Sequence, residues 1–193
     1  MGVTTENKYK EDNLSSYCFV CCRAAEDGFI CNECSTNEPV LEVIDHTISN
    51  PESPLGNGLR TLQTVAKNGS IGRYVGDYAS SKKHLRSILI APPPHYVVFC
   101  GTGYLDASGK TYTEGNIPST WILRYANHSC EPNCQLIELK VKNEYRIYLR
   151  ALRNIRAYEE VTYDYDAQRL SNRYAFIKCE CGTKSCRGFI NRN

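Results

Sequence analysis

The stretch Arg124-Tyr125-Ala126-Asn127-His128-Ser129-Cys130-Glu131-Pro132-Asn133-Cys134 is dense in polar side chains, yet apolar sequence flanks it. Taken singly, its residues have ordinary readings. A lone His128 is most simply a hydrogen-bonded structural histidine. Asn127 and Asn133 are residues that favour turns, because their side chains bond nearby backbone. Together they place two amides, an imidazole and two thiols between positions 127 and 134, which a solvated loop does not require.

The cysteines extend the argument outward. There are 11 in 193 residues, an odd number, and most fall in two tight clusters. A secreted disulfide scaffold is usually shorter, with an even count and an apolar export signal, and the polar N-terminus here offers no such signal. A reduced intracellular protein that holds zinc fits better. Cys179-x-Cys181-x4-Cys186 brings three thiols close together. A Cys179–Cys181 disulfide would close a very small, strained loop. Three thiolates on one zinc, with a fourth ligand from elsewhere, suit the spacing. The segment has too little apolar bulk to fold alone, so the metal would supply the folding energy. By residue type, Cys130, Cys134 and Cys100 are the candidates for the fourth position. Near the N-terminus, Cys18-x2-Cys21 and Cys31-x2-Cys34 form two knuckles of a four-thiolate zinc pattern, with Cys22 able to replace Cys21. A closed four-cysteine site has no open coordination position, so this second zinc is expected to be structural only.

The rest of the composition excludes more than it implies. The formal net charge is only +2, which gives no indication of direct DNA contact or of a membrane-seeking field. No window approaches the ~20 apolar residues needed to span a bilayer. Lys82-Lys83-His84-Leu85-Arg86 reads as solvated surface. From Leu59 to about Tyr165 short β-branched and aromatic runs are bounded by turn residues. Strands are expected at Leu59–Val65, Tyr96–Phe99, Gln135–Val141, Tyr145–Ala151 and Val161–Tyr163, with a hairpin tip at Lys142-Asn143-Glu144. Ser80–Ile90 is expected to hold a short helix ending before Pro92-Pro93-Pro94. The domain is therefore read as mainly β with few short helices.

With the cysteines placed, the central run closely resembles the NHSCxPNC motif of SET-domain lysine methyltransferases. The resemblance continues in order along the chain. Gly56-Asn57-Gly58 is similar to the glycine loop that opens the domain, and Tyr74-Val75-Gly76-Asp77 to the YxGE segment, with Asp77 in place of the glutamate. Leu105-Asp106-Ala107 resembles the strand before the motif. Glu159 to Tyr165 is similar to EELxYDY, and Cys179 to Gly188 resembles the post-SET CxCGxxxCRG.

The resemblance implies a fold of small curved sheets with a C-terminal pseudoknot that brings Asn127–Cys130 beside Tyr163–Tyr165. Composition and cysteine spacing give a tail over 1–16, a cysteine-rich zinc element over 17–36 and a connector over 37–53 that packs along the main domain; the resemblance adds the SET domain over 54–167 with an insert at about 78–95, and a post-SET zinc lid over 168–193. The implied cofactor is S-adenosylmethionine, held by Gly56, Asn57, Gly58, Tyr74, Arg124, Asn127 and His128, with Phe189 and Ile190 covering its adenine. Glycine suits the loop because the backbone must approach the ligand. The family completes its lid zinc with the cysteine inside the NHSC run, which selects Cys130 beside Cys179, Cys181 and Cys186. Tyr165 matches the catalytic tyrosine, Tyr163 the position that limits product methylation, and Tyr74 lies with them. The expected substrate is a histone tail lysine, on histone H3 in a nucleosome or free tail, which places the protein in the nucleus on chromatin. The expected products are mono- and dimethyl-lysine. The competing readings are the same chemistry on a non-histone protein, and a silent SET scaffold that binds chromatin.

Overall fold

The structure is a computed structural model that describes residues 38–79, 96–101, 103–107, 119–141, 144–165 and 178–190. The knuckles at Cys18, Cys21, Cys31 and Cys34, the expected helix over Ser80–Ile90 and the hairpin tip at Lys142-Asn143 lie outside the described residues.

The longest strands are the expected hairpin, β8 (Cys134–Val141) and β9 (Glu144–Ala151), in register from Cys134 opposite Ala151 to Val141 opposite Glu144. In β9 the apolar Tyr145, Ile147, Leu149 and Ala151 recur at every second residue and so share one face; the last three are buried. β3 (Ser70–Tyr74) pairs with the other side of β9. It was not expected, because Ser70 and Gly72 are poor strand formers; cross-strand pairing with β9 overrides that propensity.

Two very short strands complete this sheet: β7 (Asn127–His128) and β10 (Thr162–Tyr163). The order is β3-β9-β8-β10-β7. β7 and β8 are joined by only the Ser129–Asn133 loop, yet β10 lies between them, parallel to both. Tyr163 is opposite His128 on one side and Cys134 on the other. The chain thus threads between the two arms of the central motif, the crossing that the pseudoknot requires and an exception to the usual avoidance of threading.

A second sheet has the order β4-β6-β5, from β4 (Asp77–Ala79), β5 (Val97–Cys100) and β6 (Gly103–Asp106). A third pairs β1 (Leu41–Asp45) with β2 (Asn57–Thr61). The connector expected over 37–53 therefore contributes a strand. β2 also starts and stops earlier than the expected Leu59–Val65. The Thr61 hydroxyl donates to Gln63 O at 2.7 Å and accepts from Gln63 N–H at 3.2 Å, which turns the chain; Val65 then forms an isolated bridge with Ile155. A single helical turn, α1 (His46–Ser49), follows β1, with the Asp45 carboxylate accepting from the Thr47 N–H as its N-cap. A 3₁₀ helix at Ser119–Tyr125 leads into β7. Among the described residues no helix is long and apolar enough to cross a membrane.

The sheets share a core of Leu59, Ile71, Val98, Leu123, Leu149, Ile155 and Val161, all fully buried; each such side chain contributes about 1.5–3 kcal/mol of burial. Tyr74, Tyr125 and Tyr163 belong to the same core, which brings rings with polar ends to the edge of the site.

Candidate active site and metal centre

The threaded crossing builds the floor of the site. Ser129 N–H donates to Tyr163 O at 3.1 Å, and Tyr165 N–H donates to His128 Nδ1 at 3.1 Å. Because Nδ1 accepts, the neutral ring carries its proton on Nε2, which stands 3.4 Å from Cys130 Sγ as a donor. The Asp164 carboxylate, 3.6 Å from Nδ1, is taken up by Arg187. Asn133 locks the crossing. Only 2% exposed, it donates to Glu160 O at 2.7 Å and to the Glu159 carboxylate, and accepts from Thr162 N–H at 2.9 Å.

Three tyrosines converge above this floor. The ring centroids of Tyr163 and Tyr165 are 4.7 Å apart, and those of His128 and Tyr165 are 5.4 Å apart. Tyr165 OH donates to Ala126 O at 2.8 Å, and Tyr74 OH to Tyr96 O at 3.2 Å. The Tyr163 hydroxyl has no hydrogen-bond partner among the described residues. Burial, and then the neighbouring hydroxyls, push all three well above the ordinary tyrosine value. They stay protonated at neutral pH, so none serves as a base.

A closed set of polar contacts borders the tyrosines. Asn127 Nδ2 donates to Asn57 O at 3.2 Å and to Glu160 Oε1 at 3.0 Å; the same carboxylate oxygen lies 3.1 Å from His46 Nε2. Asn127 Oδ1 has no partner among the described residues. Gly56 has φ of +59°, which suits glycine, and space beside it is open to 4 Å.

The lid meets the floor through sulfur. The Sγ atoms of Cys130, Cys179, Cys181 and Cys186 all lie within 4.8 Å of one another, and those of Cys130 and Cys179 are 3.7 Å apart. Four thiolates placed tetrahedrally at a zinc–sulfur distance of about 2.3 Å stand about 3.8 Å from each other, so the set fits a zinc ion. Donors favouring thiolate surround it: Arg187 N–H is 3.3 Å from Cys130 Sγ, and Gly188 N–H is 3.4 Å from Cys186 Sγ. Burial raises the Cys181 thiol, but the Thr183 hydroxyl and nearby backbone outweigh it and hold Cys181 at about 6. Beside the sulfurs, Arg187 grips Asp164 with both guanidinium nitrogens, at 2.8 and 2.7 Å. Ser185 N–H donates to Glu131 Oε1 at 3.0 Å.

A SET domain family model matches residues 56–166 of this chain. The chain belongs to the SET-domain family. It is similar to a protein of Candida albicans named histone-lysine N-methyltransferase, H3 lysine-4 specific, with 44% identity over 141 residues, covering 69% of this chain and 12% of the relative. Histone-lysine N-methyltransferase ash1 of Drosophila melanogaster is 33% identical over 138 residues, covering 70% of this chain and 6% of that protein. The chain thus spans a small part of the curated relatives it matches. The methyltransferase domain of human histone-lysine N-methyltransferase SETMAR superposes with a TM-score of 0.57 at 27% identity, over 73% of this chain and 56% of that one.

Within this SET domain, the expected site residues do not all stand alike. Asn57, Asn127, His128, Cys130, Tyr163 and Tyr165 are joined by the contacts above. Arg124 is buried, donating to Ala107 O at 2.8 Å and Tyr125 OH at 2.7 Å, with its guanidinium over the rings of Tyr96 and Tyr125. Phe189 is 43% exposed and Ile190 half-buried on the lid. Cys100 and Cys134 lie in the core, apart from the sulfur cluster, and burial pushes their thiols up to about 11 and about 12. Sequence reading passed over His46, Glu160 as a side chain, Asp164, Arg187 and Asn133 as a staple. Asp164 and Arg187 lay inside recognised motifs, but nothing in their spacing pairs two residues 23 positions apart.

Proposed function

We propose that this SET domain transfers methyl groups from S-adenosylmethionine to a lysine of a histone tail, on histone H3, with mono- and dimethyl-lysine as its main products. The observation that carries the reading is the meeting of Asn127–His128 with Tyr163–Tyr165 across β7 and β10. The names borne by the curated relatives support a histone substrate, and with it a nuclear, chromatin-bound setting.

When bound, S-adenosylmethionine supplies a methyl group made electrophilic by its sulfonium. The chain's own groups suit that ligand. Asn127 Oδ1 is an acceptor for the amino end, while open space beside Gly56 admits backbone-close binding. By the family resemblance Tyr74 and the His128 backbone also hold the cofactor, and Phe189 and Ile190 offer apolar cover for its adenine. A lysine must lose its proton to attack, and with an ordinary pKa of ~10.4 this costs about 4 kcal/mol near neutral pH. Burial among Tyr74, Tyr163 and Tyr165 takes the amine out of water, and that desolvation disfavours the ammonium form. The proton leaves to solvent. With its own proton held by Ala126 O, Tyr165 keeps oxygen lone pairs to accept weak C–H···O contacts from the methyl. The unpartnered Tyr163 hydroxyl is free to hold a water or crowd the amine, which limits added methyl groups. Zinc on Cys130, Cys179, Cys181 and Cys186 would pin the lid, away from the reacting atoms. A second zinc on Cys18, Cys21 (or Cys22), Cys31 and Cys34 belongs to the same proposal.

Methylation of a histone peptide array with mass readout tests the reading. The expected result is mono- and dimethylation of an H3 lysine, lost by about a hundredfold or more in Tyr165→Phe and shifted to higher methylation in Tyr163→Phe. Abundant trimethyl product from the wild type would defeat the product assignment. Cofactor binding without transfer to any peptide would defeat the enzymatic one.

A further inference from the structure

We propose that His46, from the segment ahead of the SET motif, acts with Glu160 as a positioning pair that sets Asn127 with its amide oxygen facing the cofactor. The inference rests on the reading of Asn127 as a cofactor residue. It adds a part of the chain that lies outside the matched family region, residues 56–166.

The orientation of Asn127 follows from its donors. An amide nitrogen has two hydrogens, and both have acceptors here: Asn57 O at 3.2 Å and Glu160 Oε1 at 3.0 Å. Rotating the amide by half a turn would set its oxygen against two acceptor oxygens. The group is therefore held with Oδ1 outward, where it recognises a donor such as an ammonium. Asn57 O is fixed by the β1–β2 ladder, where Asn57 is opposite Asp45. The Glu160 carboxylate has no such frame. Its second contact is His46 Nε2 at 3.1 Å.

His46 is well placed to hold it. Its backbone N–H donates to Gly56 O at 2.9 Å, and the Asp45 cap fixes the turn it begins. Its side chain is only 21% exposed and that of Glu160 only 29% exposed, so the pair is not a loose surface contact. Gly58 records the same arrangement. A Cβ at that position would lie 2.5 Å from His46 Nε2 and 2.7 Å from Glu160 Oε1. The second glycine of the loop thus makes room for the pair, whereas the first answers a positive φ. A merely structural ion pair would contribute to stability and leave recognition untouched.

The test compares the full chain with His46→Ala, His46→Gln, His46→Asn and Asn127→Ala, by calorimetric binding of S-adenosylmethionine and steady-state kinetics. His46→Ala should weaken cofactor binding by about tenfold, the loss of one charge-assisted hydrogen bond, and raise the cofactor KM with kcat nearly unchanged. Glutamine carries a donor near the position of Nε2 and should recover most of the affinity; asparagine is too short and should not. Gly58→Ala should copy the His46→Ala loss, and Ile48→Ala, 84% exposed on the same helical turn, should change nothing. If His46→Ala fails to fold by circular dichroism, the glutamine–asparagine contrast decides. Equal affinity in those two variants overturns the proposal. Wild-type affinity in Asn127→Ala overturns instead the reading of Asn127 on which it rests.

Discussion

Asn133 and Cys130 sit three residues apart in one loop, and each ties that loop to a different part of the chain. Asn133 reaches Glu159, Glu160 and Thr162 and holds the floor of the site. Cys130 reaches Cys179, Cys181 and Cys186 and holds the lid. The first connection is made of directional hydrogen bonds within the protein, one of them to the Glu159 carboxylate, backed by strand pairing and a buried core. The second is made of sulfur, and it needs a cation to turn four mutually repelling thiolates into a cross-link. The two walls of one site therefore have different conditions of existence. The floor folds with the domain, whereas on the zinc reading proposed above the lid would draw most of its local folding energy from metal.

Metal removal should separate the walls most strongly. Chelation, or Cys186→Ser, should cost about a hundredfold or more in cofactor affinity, since structural zinc carries much of the local folding energy. Hydrogen exchange should rise across 178–190 and stay slow across 127–134 and 159–163. Equal loosening of both would erase the distinction. Asn133→Ala should do the reverse. It strands buried partners at a cost of about 2–3 kcal/mol in urea unfolding, with zinc stoichiometry unchanged by metal analysis.

The Asp164–Arg187 pair joins the two walls without metal. Its side chains are 26% and 30% exposed and bond bidentately. Breaking it with Arg187→Gln should raise the cofactor KM by about threefold to tenfold while zinc stays bound. An unchanged KM would mean that sulfur alone docks the lid.

The smallest effect belongs to the acid limb of the floor. Burial raises the Glu159 carboxyl, but Arg153, the Arg156 N–H and Asn133 outweigh it and hold it at about 2, below the ordinary 4.5. A depressed folded value stabilises the protein above pH 4.5, and that contribution is lost as pH falls toward 2. Because Arg153 is 54% exposed, solvent screening keeps the contribution to roughly 1 kcal/mol or less. The difference in thermal midpoint between wild type and Glu159→Gln should therefore be small at pH 6 and close below pH 4. A constant difference would show that charge is not its source.

What could be read beforehand divides along physical lines. The β8–β9 hairpin was legible because its signal is local: a period of two in strands eight residues long. β7 and β10, two residues each, have no period to detect. Their pairing is a consequence of the threaded chain. β3 was hidden because its residues are poor strand formers, and only a neighbour makes them one. The same split applies to the site. Three lid thiols pointed to a metal-binding set by spacing alone, and the central motif carried the family resemblance.

By itself the sequence determined which chemical groups this protein has to work with: the thiols, the asparagine–histidine run, the aromatic pair and the glycines of the loop. Short spacings set those groups, and spacing is written in the chain. Tertiary structure alone decided which of them meet. It makes Asn133 a staple, turns both amide hydrogens of Asn127 toward Asn57 and Glu160, and carries His46 to Glu160 across 114 residues, while it brings Cys130 to the lid sulfurs as the family resemblance implies. Such encounters depend on how strands pair and cross, and a hydrogen bond or a metal ligand requires a few ångströms in space whatever the distance along the chain.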